Sequence, residues 1–235
     1  MDQLFLPDKQ EFEIDTNRLK LNADQILKGL GMKRTDADDY LLDLIEELTQ
    51  KSIKLAQPRA GFSFYLNPQF DLADKCLLLK NHRFSLGKTV TGMLKKSEAV
   101  ILFAVTIGHE VEAFSKQQMK AGNSLEGYII DLVGSELAES ATDFLHDELE
   151  RLVNEKGYGL SNRYSPGYCN WPVSDQHQLF DLIGEVNCGI QINESSLMSP
   201  VKSVSGIVGV GKSMKRVDYK CRLCDDEKCI LRYQF

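Results

Sequence analysis

One amphipathic stretch constrains this chain more than any other feature. From about Leu125 to Glu155, the residues Ile129, Val133, Leu137, Ala141, Phe144, Leu145, Leu149 and Leu152 recur at helical spacing on one face. A helix of that length spans about 45 Å, so the rest of the chain has to be arranged along its apolar stripe. Gly122-Asn123-Ser124 supplies a break and a cap in front of it, and Gly134 offers a place for a bend.

Shorter patterns surround it. Residues 1–20 read as a polar lead-in. Asn22-Ala23-Asp24 caps a short helix carrying Ile26, Leu27 and Leu30, closed by Gly31. A longer helix starts at Thr35 or Asp36, with Leu41, Leu42, Leu44, Ile45 and Leu48 as its stripe, and ends before Pro58. Phe62 to Leu66, Cys76 to Leu79 and Ala99 to Val105 have the length and β-rich composition of strands. Helices are expected from His109 to Lys120 and from Ser174 to Glu185, and a strand from Ser203 to Val210. Helices and strands do not alternate strictly, which argues for an α+β fold with a mixed or antiparallel sheet packed against long helices. Residues 1–95 are expected to form an N-terminal segment of the same domain, and 96–235 the core with a cysteine-rich tail.

With 43% hydrophobic residues among 235, a sizeable core is available, and the net charge of −6 argues against nucleic acid or an anionic membrane as partner. One basic cluster near the C-terminus, Lys212, Lys215, Arg216, Lys220 and Arg222, reads as a solvated surface run. No stretch approaches the roughly 20 apolar residues of a membrane helix. Met1-Asp2-Gln3 opens without the order of a signal peptide. The expectation is a cytoplasmic protein whose six cysteines are reduced thiols or metal ligands.

Two segments read as neither helix nor strand: Arg163-Tyr164-Ser165-Pro166-Gly167-Tyr168-Cys169-Asn170-Trp171-Pro172, and Asn193-Glu194-Ser195-Ser196-Leu197-Met198-Ser199-Pro200 running into Ser203-Val204-Ser205-Gly206. In the first, Pro166-Gly167 predicts a tight turn. Arg163 offers the planar fork that suits a carboxylate, and Tyr164, Tyr168 and Trp171 are candidate flat surfaces for a purine. A structural turn with packed aromatics fits the same residues.

Together these segments resemble the activation (reactivation) domain of cobalamin-dependent methionine synthase, which binds S-adenosylmethionine. In that family an Arg-x-x-Pro-Gly-Tyr segment carries ligand contacts, here Arg163, Ser165, Gly167 and Tyr168; Ser165 stands where the family often has a small apolar residue. Leu137-Ala138-Glu139-Ser140-Ala141 with Phe144-Leu145-His146-Asp147-Glu148 is similar to the family's Leu-Ala-Glu-Ala helix, which makes Glu139 a candidate for the positive pole of the ligand. The second segment is similar to the family's Glu-Ser…Met…Pro…Ser-Val-Ser-Gly run, with Glu194 a candidate ligand residue and the rest backing the loop. The resemblance implies a component of methionine synthase, a methyltransferase of methionine biosynthesis, with little turnover alone. It would serve a partner methionine synthase or corrinoid protein that carries the cobalamin, and a protein such as flavodoxin would be the electron donor.

Two patterns remain. Gly206 to Ser213 matches the phosphate-loop pattern G-x-x-x-x-G-K-[ST], but no amphipathic helix follows, so a nucleotide loop is not expected. Cys221-x-x-Cys224 with Cys229 is a partial metal site for zinc or an iron–sulfur cluster, a fourth ligand being Cys169 or else Cys188. Packed thiols or a redox pair fit it too, and the tail departs from the full-length methionine synthase domain. His82, His109, His146 and His177 lack metal-ligand spacing and read as structural or exposed.

Overall fold

The computed structural model describes residues 6–217. Strand β1 (Lys9–Glu13) is followed by helices α1 (Ala23–Gly29) and α2 (Asp39–Leu55), then by strands β2 (Arg59–Leu66), β3 (Gln69–Asp71), β4 (Cys76–Leu79) and β5 (His82–Phe84). Helix α3 (Gly87–Leu94), strand β6 (Ala99–Thr106) and helices α4 (Glu110–Lys120) and α5 (Ser124–Asn154) come next. The chain continues with β7 (Gly159–Leu160), α6 (Asp175–Ile183), β8 (Gln191–Ile192), β9 (Met198–Ser199) and β10 (Ser203–Gly211).

The main sheet has the order β1-β2-β6-β10-β7 and every pairing in it is antiparallel. Its central strand explains the architecture. All eight residues of β6 are buried, so both faces need a covering layer. Ala99, Ile101, Phe103 and Val105 join the cluster beneath α1, α2, α4 and α5, while Val100, Leu102 and Ala104 join a second cluster with Trp171 and residues of α3 and α6. The α+β expectation holds, with an antiparallel rather than a mixed sheet.

Helix α5 runs unbroken along one face of this sheet, burying Ile129, Val133, Leu137, Ala141, Leu145 and Leu149. At Gly134 a Cβ would meet Val111 and the stem of Lys202, so that glycine lets Lys202 cross the helix closely. The Lys202 ammonium then bonds Asp131 at 2.8 Å and Ser135 at 3.0 Å.

Several local readings change. The lead-in is not structureless, because Lys9–Glu13 forms an edge strand against β2. The second helix begins at Asp39, not at 35 or 36; a short 3-10 turn over Arg34–Asp36 precedes it, and the Asp38 carboxylate accepts from Leu41 N–H at 2.9 Å as its cap. The helix expected over 174–185 stops at Ile183, where Gly184 (φ 66°) begins a 3-10 turn. Helix α3 and the short strands β3, β5, β7, β8 and β9 carry too little periodicity to stand out in the sequence.

Candidate functional site

The segment that carries Arg163 is built on the edge of β10. Ser161 N–H donates to Gly209 O at 2.8 Å, and Tyr164 exchanges two backbone bonds with Ile207 at 3.0 and 2.8 Å. Between these contacts Asn162 and Arg163 together face the single residue Val208, a bulge that redirects their side chains. The Ser161 hydroxyl fills the gap in the ladder, accepting from Gly209 N–H at 2.8 Å. Gly206 is required here, since a Cβ would run into the Tyr164 carbonyl oxygen and crowd Ser165 Oγ.

Two consecutive turns follow. Tyr168 N–H donates to Ser165 O at 3.2 Å across Pro166-Gly167, and Gly167 has φ 96°, the signature of a type II turn. Trp171 N–H then donates to Tyr168 O at 2.9 Å across Cys169 (φ 51°) and Asn170 (φ 63°), both in the left-handed region of a type I′ turn. Gly167 N–H closes the loop onto Trp171 O at 2.8 Å.

Trp171 anchors this loop. Its ring is buried edge-on to Phe84 at 6.2 Å, and its indole N–H donates to Asp175 Oδ2 at 2.9 Å, which also accepts Ser85 N–H at 2.8 Å. Tyr164 is buried too, and burial pushes its phenol up to about 12. Of the three aromatics offered as a purine platform, only Tyr168 presents its ring outward, at 54% exposure.

Arg163 crosses to helix α5. Its guanidinium bonds Asp143 Oδ1 at 2.7 Å and approaches Glu139 Oε2 at 3.6 Å. Asp143 and Asp147 follow Glu139 at four-residue intervals, so the three acids form one stripe. Arg216 enters the same stripe from beyond β10, bonding Asp147 Oδ1 at 3.1 Å and lying 3.8 Å from Asp143 Oδ1. Asn162 holds that segment by a double bond pattern to the Val217 backbone, 2.8 Å to N–H and 2.7 Å to the carbonyl. The result is an alternating ladder: Glu139, Arg163, Asp143, Arg216, Asp147. Asp143 was missed as a site residue in the sequence, although its spacing from Glu139 was a usable signal. Arg216 is part of this ladder and not merely a solvated charge.

Electrostatics follow from this crowding. Loss of hydration raises the Glu139 pKa, the Arg163 charge opposes it, and Asp143 adds to the rise. This occurs although 60% of the Glu139 side-chain surface is exposed. Glu136 is raised by burial and then by Glu139 and Asp143. Beneath the ladder, His146 is 2% exposed and its pKa is lowered to about 4, by burial first and then by Arg163 and Arg216. Among the described residues neither of its ring nitrogens has a hydrogen-bond partner.

The second segment supplies support. Asn193 closes the tip of the β8–β9 hairpin, its Oδ1 accepting from Ser195 and Leu197 N–H at 3.0 and 2.9 Å, and Glu194 stands exposed on that tip. Ser205 accepts from buried Gln176 at 2.9 Å, which ties α6 to β10. The phosphate-loop pattern is resolved by this strand: residues 206–211 lie in β10, and Gly209 N–H is already committed to Ser161.

Cys169 sits in the turn beside the start of α3, its carbonyl 3.2 Å from where a Gly87 Cβ would be. Cys188 is buried, its thiol donates to Ala104 O at 3.5 Å, and burial pushes it up to about 12. Cys221, Cys224 and Cys229 lie outside the described residues. Among the described residues no three His, Cys, Asp or Glu side chains are grouped to hold a metal ion, and no helix is long and apolar enough to cross a membrane. Two cavities, of about 750 Å³ beside Tyr65 and Lys80 and about 530 Å³ beside Phe12 and Phe144, lie away from the Arg163 loop. The acids of the ladder are open to solvent, with side chains 60%, 53% and 67% exposed at Glu139, Asp143 and Asp147.

Comparison with known proteins gives two findings. A crystal structure of the MetH reactivation domain bound to AdoHcy is similar, with a TM-score of 0.66 at 18% sequence identity, covering 88% of this chain and 79% of that one. At that identity the likeness establishes the fold. The sequence pattern of the family described as vitamin B12 dependent methionine synthase, activation domain, matches residues 80–229, more than half of the chain. The protein therefore belongs to the activation-domain family of vitamin B12 dependent methionine synthase.

Proposed function

We propose that this protein binds S-adenosylmethionine at the Arg163 loop and supports reductive methylation of cobalamin held by a partner methionine synthase or related corrinoid methyltransferase. The observation that carries the reading is the placement of Arg163. The contacts of Ser161 and Tyr164 with β10 fix its backbone from both sides, and its guanidinium lies against Glu139 and Asp143. A sulfonium amino acid carries one carboxylate and two positive centres, so it needs a cation and anions side by side, and the ladder provides both. Arg163 binds the carboxylate, Glu139 meets the ammonium or sulfonium, and Tyr168 covers the adenosine. Ser165 and Gly167 shape the turn, and Glu194 is a further candidate ligand residue on the hairpin. Family membership and the AdoHcy carried by the similar structure support the same ligand class.

The corrinoid on the partner supplies the cobalt that, with one electron from a donor such as flavodoxin, takes the methyl group. This chain's part is binding and orientation. The test is a mixture of this protein, a methionine synthase without its own activation domain and in the oxidised cobalt(II) state, a reductant, and S-adenosylmethionine labelled on its methyl group. Label is expected on the corrinoid only when this protein is present. Equal labelling without it would overturn the proposal.

A further inference from the structure

The ladder on α5 places two arginines on one carboxylate oxygen. Asp143 Oδ1 accepts Arg163 at 2.7 Å and has Arg216 waiting at 3.8 Å. Arg163 is the more sheltered of the two, at 23% side-chain exposure against 47%. Asp143 holds Arg163 through Nη1 while Glu139 stands 3.6 Å from Nη2, so a ligand carboxylate that takes both ends of the guanidinium fork has to displace Asp143. If Arg163 simply left, Asp143 would face Glu139 with no cation between them, and only Arg216, 3.8 Å away, would remain to offset its charge.

We infer that Asp143 and Arg216 are positioning residues that act as a charge-exchange latch: a ligand carboxylate takes Arg163 from Asp143, and Arg216 closes on Asp143 in its place. This rests on the reading of Arg163 as the carboxylate site. The geometry favours an exchange because Arg216 has only to shorten its contact with an oxygen it already faces. The double bond pattern between Asn162 and the Val217 backbone keeps Arg216 beside α5 while it does so. Glu139, released from Arg163 in the same movement, becomes available to the ligand's positive centre. The latch confers selectivity for ligands that carry an amino-acid carboxylate, since only these supply the anion that replaces Asp143.

The experiment is a calorimetric comparison of S-adenosylmethionine with 5′-methylthioadenosine, which keeps the adenosine but has a neutral thioether in place of the sulfonium and lacks the amino-acid portion. It uses the full chain as wild type, Asp143→Asn, Arg216→Gln and the double variant. Asp143→Asn should tighten S-adenosylmethionine about 2- to 5-fold, because the competitor is gone. Arg216→Gln should weaken it about 3- to 5-fold, and in the Asp143→Asn background that loss should vanish. Affinity for 5′-methylthioadenosine should not change in any variant. A purely structural role would weaken both ligands together, and that result, or an Arg216→Gln loss that persists without Asp143, would overturn the latch. Wild type that binds 5′-methylthioadenosine but not S-adenosylmethionine would overturn the carboxylate site along with it. Wild type that binds both, with no change in any variant, would overturn the latch alone.

Discussion

His146 shows how a single residue couples this site to the stability of the fold. Its imidazole is buried beneath two arginines, so the protonated form is penalised and the folded state holds it neutral. A folded pKa of about 4 against an ordinary 6.5 means the unfolded chain binds the proton first. The contribution of this residue is therefore fully present above pH 6.5 and is lost as pH falls towards 4; it amounts to about 3 kcal/mol. Glu136 and Glu139 act with the opposite sign, because their raised pKa values favour the folded state at low pH and disfavour it as they ionise. Urea midpoints measured from pH 7 to 4 should fall for the wild type and fall less for His146→Leu; parallel curves would show that His146 is not held neutral. In the sequence this histidine looked like any other on a long helix. The two arginines that lower its pKa come from the 161–164 segment and from beyond β10, which no local pattern on α5 reveals.

Among the elements, the pairing of β10 with the 161–164 segment matters most for the site. Its tolerance is set by Gly206, whose missing Cβ lets the Tyr164 carbonyl come close. Gly206→Ala should push the two apart, costing about 1–3 kcal/mol of stability and weakening ligand binding through the displaced Arg163. Thermal unfolding of the variant checks the first effect, and an unchanged melting temperature would contradict this account of Gly206. Other elements were legible in the sequence. The apolar run of β6, the stripe of α5 and the Pro-Gly turn at 166–167 are strong local signals, and the structure contains all three. The edge strand Lys9–Glu13 has four polar residues among its five and none of them buried, and it acquires strand geometry only by pairing with β2. Trp171 offered itself as a ligand platform. The motif left a packed structural aromatic open as the alternative, and the indole bond to Asp175 at the start of α6 decides for it.

For the whole molecule, the family match begins at residue 80, yet the sheet that supports the site also draws on β1 and β2. β2 pairs with β6 over its full length, so the N-terminal residues complete the layer on which α5 lies. The candidate site forms where that helix meets the far edge of the sheet. Its residues were partly legible as a motif, Arg163 and Tyr168 through the turn and Glu139 through the helix pattern. The members contributed across the fold, Asp143 and Arg216, emerge only when α5, the bulge and the segment after β10 are assembled. The central claim is that Arg163 gives this surface its affinity for a sulfonium amino acid. The most direct test is calorimetric titration of S-adenosylmethionine into the wild type and Arg163→Ala. Saturable binding weakened roughly 10- to 150-fold by the substitution is the predicted result, as expected for loss of a charge-assisted contact. Equal affinity in the two proteins, or no binding to a well-folded wild type, would contradict it.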